Sequence, residues 1–126
     1  MKNLPNLPEG FPEPRIPGGV LPGWWPIIER LNAALEVTVP GYKLDQVKEK
    51  FGGLRYYISI PVSEDGTRNY FNSGAADLIA AASSVSFETC EVCGEPGVCA
   101  PTKSGWFKTL CDRDRERWNE GWRPWL

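Results

Sequence analysis

The sequence predicts an α+β fold whose core is a helix, a β-hairpin and a second helix. Segments 24–36 and 75–87 place apolar residues at helical spacing, and segment 46–60 alternates apolar and polar residues around a Gly-Gly pair. The four cysteines of the 126-residue chain all follow these segments, which indicates a separate cysteine-rich lobe. These patterns divide the chain into an extended Pro-rich arm, an α+β core and a C-terminal lobe, over residues 1–23, 24–88 and 89–126.

The Pro-rich arm, segment 1–23, has no apolar periodicity. Proline fixes the backbone dihedral φ and removes a hydrogen-bond donor, so this composition favours an extended, polyproline-like backbone. The arm nevertheless carries several large apolar residues, namely Leu4, Leu7, Phe11, Ile16, Val20 and Leu21. Two interpretations stay open: a flexible tail, or a segment that these side chains pin across the core or onto a partner.

The first helix is predicted over segment 24–36. Pro26 fits the first helical turn, where its missing N–H has no partner in any case. The apolar side chains of one face would be Ile27, Ile28, Leu31 and Leu35. Trp24 and Trp25 stand at the start of this helix, and we expect them to pack against the core.

The second helix is predicted over segment 75–87, with Asn72 or Ser73 as its N-cap. Its apolar residues recur at helical spacing at Leu78, Ile79, Ala82 and Val85. Many of the other side chains are small, which allows this helix to approach the hairpin closely.

Segment 46–60 has the form of a β-hairpin with a two-residue turn at Gly52-Gly53. In that register Lys50 would face Arg55 across the strands. Like charges directly opposite each other destabilise an antiparallel pair slightly. A cationic strip in this place could therefore serve an acidic partner.

The two faces of the predicted hairpin differ in polarity. The core face would hold Val47, Glu49, Phe51, Leu54, Tyr56 and Ile58. Glu49 is the charged member of that face, and it needs a cation or a phenol such as Tyr56 because an unpaired buried carboxylate is costly. The outer face holds the candidate partner-binding residues Lys48, Lys50, Arg55 and Tyr57.

The strongest chemical signal is the group of cysteines in the C-terminal lobe. Cys90-x2-Cys93, with Gly94 directly after it, has the form of a tight turn that aims two thiolates at one point. A short hairpin over 98–110 would follow, and Cys111 would open a helix whose N-terminal dipole favours the thiolate form. No secretory signal is evident, so we expect a cytoplasmic protein whose reduced thiols bind metal rather than form disulfides.

This order of a cysteine turn, a hairpin and a helix that supplies the last ligands resembles a treble-clef zinc finger. The resemblance implies a Zn²⁺ ion held by two ligand pairs, the second usually Cys-x2-Cys or Cys-x2-His. Here the residue three positions after Cys111 is Asp114. Either Asp114 coordinates through oxygen, or Cys99 bends in from the hairpin, and disulfides or loss of metal are further possibilities. Because structural zinc sites prefer sulfur, the favoured ligand set is Cys90, Cys93, Cys99 and Cys111.

The chain contains no histidine, which excludes several catalytic classes. Ser-His-Asp triads, Cys-His dyads, HExxH proteases and His-centred nuclease sites all require that side chain. A catalytic zinc also needs an open coordination position and usually a nearby general base, and only the carboxylate-rich start of the last helix points that way. We therefore expect a structural zinc and no enzymatic activity, with a metal-dependent enzyme as the weakest alternative. The sequence contains no apolar run long enough to predict a membrane span.

The last residues of the chain combine tryptophan with balanced charge. Trp118, Trp122 and Trp125 would form one aromatic stripe if the helix continued through them. Tryptophan and arginine dominate the binding energy of many protein interfaces. The chain has a net charge of −2, whereas a nucleic-acid surface normally shows a basic excess. A protein partner is therefore expected, and a nucleic-acid-binding finger that uses the strip Lys48, Lys50 and Arg55 is the alternative.

The strings GWWPIIERL and VKEKFGGLRYYI, with a CxxCG turn and a GW-x4-CD element after them, look like a group of small proteins from bacteria and their phages. The resemblance covers about residues 23–116, and VKEKFGGLRYY is its most specific part. In that group the residue at the position of Asp114 is typically histidine, so this chain departs at an expected ligand. Small phage-type proteins are commonly host-directed binders. The resemblance therefore implies a non-catalytic, protein-binding module, such as an inhibitor of a host protein or defence system.

Overall fold

The computed structural model describes residues 7–11, 19–62, 64–65, 69–70 and 73–125. Within these ranges it shows three α-helices and two small antiparallel sheets, which confirms the predicted α+β class. None of these helices combines the length and the apolar content that a lipid bilayer requires. In chain order the elements are α1 (Trp25–Thr38), β1 (Lys43–Lys50), β2 (Gly53–Ser59), α2 (Ala75–Ser86), β3 (Val98–Pro101), β4 (Phe107–Leu110) and α3 (Asp112–Asn119).

Helix α1 forms where the apolar spacing predicts it, after a single 3-10 turn at Pro22–Trp24. Its predicted apolar face is buried: Ile27, Ile28, Leu31 and Leu35. Trp24 is completely buried, and its indole Nε1 donates a hydrogen bond to the carbonyl oxygen of Thr89 at 2.8 Å. Trp25 packs edge-on against Phe11, with the ring centroids 6.3 Å apart. Both tryptophans therefore have the expected packing role.

Helix α2 begins at Ala75, as predicted, and ends at Ser86, one residue before the predicted end. The predicted N-cap Ser73 is wrong by one residue, because Gly74 is the N-cap residue, with a φ of 90°. The hydroxyl of Ser73 still accepts a hydrogen bond from the N–H of Ala75 at 3.1 Å. The other candidate cap, Asn72, lies outside the described residues. Ser86 is completely buried, and its hydroxyl accepts a hydrogen bond from the N–H of Leu54 at 2.9 Å. This bond fixes α2 against β2.

The β1–β2 hairpin forms, but its predicted turn at Gly52-Gly53 is wrong. Lys50 pairs with Gly53 rather than with Arg55, so the register is shifted by two residues. The turn residues are Phe51 and Gly52, which have φ values of 54° and 87°. Positive φ at both central positions defines a type I′ turn, whose twist matches that of the flanking strands.

The packing of Gly53 explains the shifted register. A Cβ atom on Gly53 would lie 2.1 Å from the ring of Phe87, so the extended strand itself needs glycine here. The shift moves Phe51 from the predicted core face into the exposed turn, and it sets Lys48 opposite Arg55. Because side chains alternate between the two faces of a strand, a shift of two residues leaves each side chain on the same face of the hairpin. The inner face therefore still buries Val47, Leu54 and Tyr56.

The main apolar core lies between α1, α2 and the inner face of the hairpin. Beside the α1 residues named above it contains Val20, Trp24, Val39, Val47, Leu54, Tyr56, Ala75 and Ala82. Two arm residues, Leu7 and Phe11, are half-buried against this core. Of the other apolar arm residues, Leu4 and Ile16 lie outside the described residues. The apolar side chains of Leu7, Phe11 and Val20 therefore pack on the protein's own core.

A second and smaller apolar cluster occupies the C-terminal lobe and contains Leu21, Cys90, Leu110 and Trp118. Gly23 lies where the two clusters meet, and its N–H donates a hydrogen bond to the carbonyl oxygen of Glu91 at 2.9 Å. A Cβ atom on Gly23 would lie 2.2 Å from the carbonyl oxygen of Cys90. This close approach of two backbones requires glycine and joins the start of α1 to the cysteine turn.

Candidate metal centre

Cys90 and Cys93 lie on a tight turn between α2 and β3. Gly94 closes this turn with a φ of 84°, and its N–H donates a hydrogen bond to the carbonyl oxygen of Cys90 at 2.9 Å. The N–H of Cys90 donates in turn to the carbonyl oxygen of Glu95 at 2.7 Å. Cys90 is completely buried, whereas Cys93 is half-buried. The turn brings both sulfur atoms to the start of α3.

Cys111 and Asp114 occupy the first turn of α3. Cys111 is the N-cap residue, and its Sγ accepts a hydrogen bond from the N–H of Asp114 at 3.4 Å. The partial positive charge at a helix N-terminus favours the negative charge of the Asp114 carboxylate. Arg115 fastens this helix to the β3–β4 hairpin through hydrogen bonds to the carbonyl oxygens of Val98, Ala100 and Lys108.

The structure brings four donor side chains together at this point. One donor atom from each of Cys90, Cys93, Cys111 and Asp114 lies within 4.8 Å of all the others. The sulfur atoms of Cys93 and Cys111 are 3.7 Å apart. Asp114 Oδ2 is 3.3 Å from the sulfur of Cys90 and 3.2 Å from that of Cys111. This group could hold a metal ion.

The two carboxylate oxygens of Asp114 have different neighbours. Oδ2 faces the thiols, whereas Oδ1 accepts a hydrogen bond from Arg117 at 2.5 Å and lies 3.4 Å from Nε of Arg113. Burial alone would raise the pKa of Asp114, but the hydrogen bonds from Arg117 and from the thiols outweigh it and hold that pKa well below its ordinary value. Asp114 therefore stays ionised and presents one oxygen to the cysteines.

The two cysteines of the turn are protonated in the metal-free chain. Burial raises the pKa of the Cys90 thiol to about 12 and raises that of Cys93 as well. A metal ion binds thiolates rather than thiols, so occupancy of this centre must release protons.

Cys99, the favoured fourth ligand, lies elsewhere. It is on β3 opposite Thr109, and its thiol donates a hydrogen bond to the carbonyl oxygen of Phe51 at 3.5 Å. A Cβ atom on Gly52 would lie 2.6 Å from the Cys99 sulfur. The structure thus places Cys99 against the β1–β2 turn, and the donor group contains the alternative ligand, Asp114.

The C-terminal tryptophans do not form the predicted helical stripe, because α3 ends at Asn119. Trp118 and Trp125 pack edge-on, with ring centroids 6.0 Å apart. Trp122 instead lies against Arg117, whose guanidinium carbon is 3.9 Å from the ring centroid. Sequence reasoning missed that Arg117 contacts both Trp122 and the carboxylate of Asp114. The i, i+3 spacing of Asp114 and Arg117 was a usable signal for their ion pair.

A buried ionic cluster joins the lobe to the first hairpin. Lys108 Nζ lies 2.8 Å from Glu49 and 2.7 Å from Glu91. Lys108 is thus the cation that Glu49 was predicted to need. Glu91 is completely buried, and its Oε2 has no hydrogen-bond partner among the described residues. Burial raises the pKa of Glu91 to about 7, against the attraction of Lys108.

A groove of about 770 Å³ opens between the β1–β2 turn, the β3–β4 hairpin and the chain after α3. We call it the aromatic groove because its lining includes Phe51, Trp106, Phe107, Trp118 and Trp125. Three of the predicted partner-binding residues line it, namely Lys50, Trp118 and Trp125. The other four do not line this groove: Lys48, Arg55, Tyr57 and Trp122.

Comparisons of the chain with protein-family models, with curated proteins and with solved structures each found no match. The kinship with small bacterial and phage proteins therefore stays a prediction.

Proposed function

We propose that this chain is a non-catalytic, zinc-stabilised protein-binding module. The proposal is carried by the four-donor group of Cys90, Cys93, Cys111 and Asp114. Tetrahedral zinc, with bonds of about 2.3 Å to sulfur and 2.0–2.2 Å to oxygen, places two sulfur ligands about 3.8 Å apart and a sulfur and an oxygen about 3.6 Å apart. Three of the donor separations, at 3.7, 3.3 and 3.2 Å, lie within about 0.4 Å of these values, and all the donor atoms lie within 4.8 Å of one another. Three thiolates also favour zinc over magnesium or calcium.

A structural role suits this centre better than a catalytic one. Four protein donors complete a tetrahedral shell, and both Cys90 and Asp114 are completely buried, so a water or substrate has no position to take. The lobe also needs an external constraint, because its apolar cluster contains few buried residues. Zinc would supply that constraint by coupling metal binding to folding. The order of cysteine turn, hairpin and helix supports a treble-clef-like arrangement.

The binding role is supported by the exposed aromatic side chains beside this lobe. Trp106 is 69% exposed, Phe51 is 55% exposed and Phe107 is 45% exposed, and all three line the aromatic groove. Large apolar side chains that share one exposed surface commonly mark an interaction site. Bacterial host proteins are the partners to test first, since the resemblance to phage-type proteins implies them.

Metal content tests the zinc centre. Elemental analysis of the purified chain should find one zinc per molecule, and Cys99→Ser should retain it. Asp114→Ala should lower the zinc affinity, and Cys111→Ser should lose the metal and unfold the lobe. Zinc retained by Asp114→Ala but lost from Cys99→Ser would contradict the ligand set. An unchanged melting temperature after strong chelation would contradict the structural role.

Affinity capture from a bacterial lysate tests the binding role. The zinc-loaded chain should retain a protein partner that the chelated chain does not retain, because the lobe that presents the aromatic side chains would have unfolded. Recovery of nucleic acid alone, with a steep dependence on salt, would instead support the nucleic-acid-binding alternative.

A further inference from the structure

We propose that the aromatic groove binds an acidic peptide segment that inserts one large apolar side chain between the rings. This inference rests on the proposed binding function and names the chemistry of the partner. It is carried by the aromatic lining of the groove, by the cations around it and by the backbone conformation of Phe51.

The lining of the groove offers an apolar side chain a specific place. Trp106 and Phe107 come from the β3–β4 hairpin, Phe51 comes from the β1–β2 turn, and Trp118 and Trp125 come from α3 and the chain after it. A volume of about 770 Å³ falls in the range of ligand pockets. Aromatic rings give a large contact area at a low cost in side-chain entropy. The groove can therefore hold one large side chain together with the peptide backbone on both sides of it.

The charges around the groove favour an acidic ligand. Its lining contains the cations Lys50, Lys108 and Arg123 and one carboxylate, Glu49, which pairs with Lys108. Lys50 and Arg123 have no carboxylate partner among the residues that the structure describes. Arg123 donates hydrogen bonds to main-chain oxygens only and lies over the ring of Trp118. Two cations are thus left for a ligand's carboxylates, on a chain with a net charge of −2.

Phe51 is held in a strained backbone conformation at the edge of the groove. Its φ of 54° is the one positive value among the described non-glycine residues, and such a conformation costs about 1–2 kcal/mol. The lobe fixes the turn, because the hydroxyl of Thr109 donates a hydrogen bond to the carbonyl oxygen of Gly52 at 2.7 Å. The exposed ring contributes little to the core. A ligand that contacts the ring gives this arrangement a function.

Single-stranded nucleic acid also binds to aromatic side chains and cations. It needs a basic path that follows successive phosphates, however, and this groove offers two unpaired cations beside the carboxylate of Glu49. The arginines of α3 are balanced by acidic residues and add no basic path. The observations therefore favour a peptide over an oligonucleotide.

Fluorescence anisotropy with labelled probes tests the proposal on the zinc-loaded full chain. The probes are the peptides Glu-Glu-Phe-Glu-Glu, Glu-Glu-Ala-Glu-Glu and Lys-Lys-Phe-Lys-Lys and a short oligothymidylate. The first peptide should bind saturably, and each of the other two should bind at least about tenfold more weakly. Oligothymidylate binding without peptide binding, equal binding of all peptides, or no binding at all would each overturn the proposal.

Matched variants locate the binding. Trp106→Ala should weaken the first peptide at least about tenfold, whereas Val37→Ala, which also truncates an exposed apolar side chain, should not change its affinity. Lys50→Glu should weaken it similarly, whereas Lys43→Glu at the other end of β1 should have little effect. Equal losses of peptide affinity in a variant and its control would show that the peptide does not bind in the aromatic groove.

Failure of this inference can be told apart from failure of the proposed function. If the zinc-loaded chain captures a protein that Tyr57→Ala or Arg55→Glu releases while Trp106→Ala retains it, partner binding uses the outer face of the hairpin. The inference is then wrong and the proposed function stands. If the chain contains no zinc, the proposed function itself is wrong.

Discussion

Replacing Lys108 by methionine should destabilise the chain in a way that depends on pH. Lys108 is the cation that pairs with both Glu49 and Glu91, and Glu91 is completely buried. Methionine keeps much of the volume of the side chain but leaves the Glu91 carboxylate without a counter-charge. Removing one partner of a buried ion pair typically costs about 3–5 kcal/mol. Glu91 can limit that cost by taking up a proton.

The pKa of Glu91 determines how strongly the destabilisation by Lys108→Met depends on pH. With Lys108 in place, burial raises it from 4.5 to about 7, and without the cation it must rise further. A group whose pKa is higher in the folded chain than in the unfolded chain lowers stability as the pH rises between the two values. Glu91 of the unaltered chain is already half ionised at pH 7, so that chain loses only about 0.4 kcal/mol more between pH 7 and pH 8. The variant loses nearly 1.4 kcal/mol over the same interval while its Glu91 stays protonated, so its destabilisation should be about 1 kcal/mol larger at pH 8 than at pH 7.

Urea unfolding of the zinc-saturated chain, followed by tryptophan fluorescence, measures this difference. The free energy of unfolding is compared for the unaltered chain and for Lys108→Met at pH 6, 7 and 8. The thiols titrate in both chains, so their contributions cancel in the comparison. In a Glu91→Gln background, the effect of Lys108→Met should be the same at pH 7 and pH 8. A pH-independent effect with Glu91 present, or a pH-dependent effect without it, would refute the reasoning.

Three further substitutions, one of them with a matched control, test separate features of the structure. Arg117→Met should lower zinc affinity about 10–100-fold in a competition assay with a chelator, because it removes the hydrogen bond that orients the Asp114 carboxylate; unchanged affinity would show that the carboxylate needs no such support. Gly23→Ala should destabilise the chain by about 3 kcal/mol or more, because its Cβ would overlap a backbone oxygen of the cysteine turn. Gly105→Ala, whose Cβ would meet nothing, should cost only about 1 kcal/mol of backbone strain, and equal losses would argue against the steric explanation. Phe51→Asn should raise the unfolding free energy by about 1 kcal/mol, because Asn-Gly suits a type I′ turn, and it should weaken the acidic peptide in the anisotropy assay; a loss of stability would mean that the ring supports the fold.

The local sequence pattern predicted the helices and the first hairpin. Contacts between residues distant in sequence decided the register of that hairpin, which the local pattern could not predict. The periodicity of α1 and α2 and the alternation of the first hairpin each follow from a few neighbouring residues. The register of that hairpin does not, because Phe51 is a poor candidate for a left-handed turn when judged alone. The close fit of Gly53 against Phe87, far along the chain, accounts for a glycine on the strand rather than in the turn.

The prediction of the candidate metal centre likewise divides into a local part and a part that depends on tertiary contacts. The spacing of Cys90, Cys93 and Cys111 located three donors, because a tight turn and a helix start are local structures. The choice between Cys99 and Asp114 depended on which way the β3–β4 hairpin faces, and donor chemistry alone favoured sulfur. The pairing of Glu91 with Lys108 likewise had no local signal, since the two residues meet only when β4 packs beside the cysteine turn.

The contacts made by Gly23 and Trp24 determine when the start of α1 becomes anchored during synthesis of the chain. The indole of Trp24 finds its acceptor on Thr89, 65 residues further along the chain, and Gly23 meets the cysteine turn just beyond it. Helix α1 and the first hairpin leave the ribosome well before these partners exist. The N-terminal end of α1 must therefore wait for the cysteine turn before it is anchored. In a chain whose cysteine turn fails to form, we expect early proteolysis to begin at residues 19–24, far in sequence from the cysteines themselves.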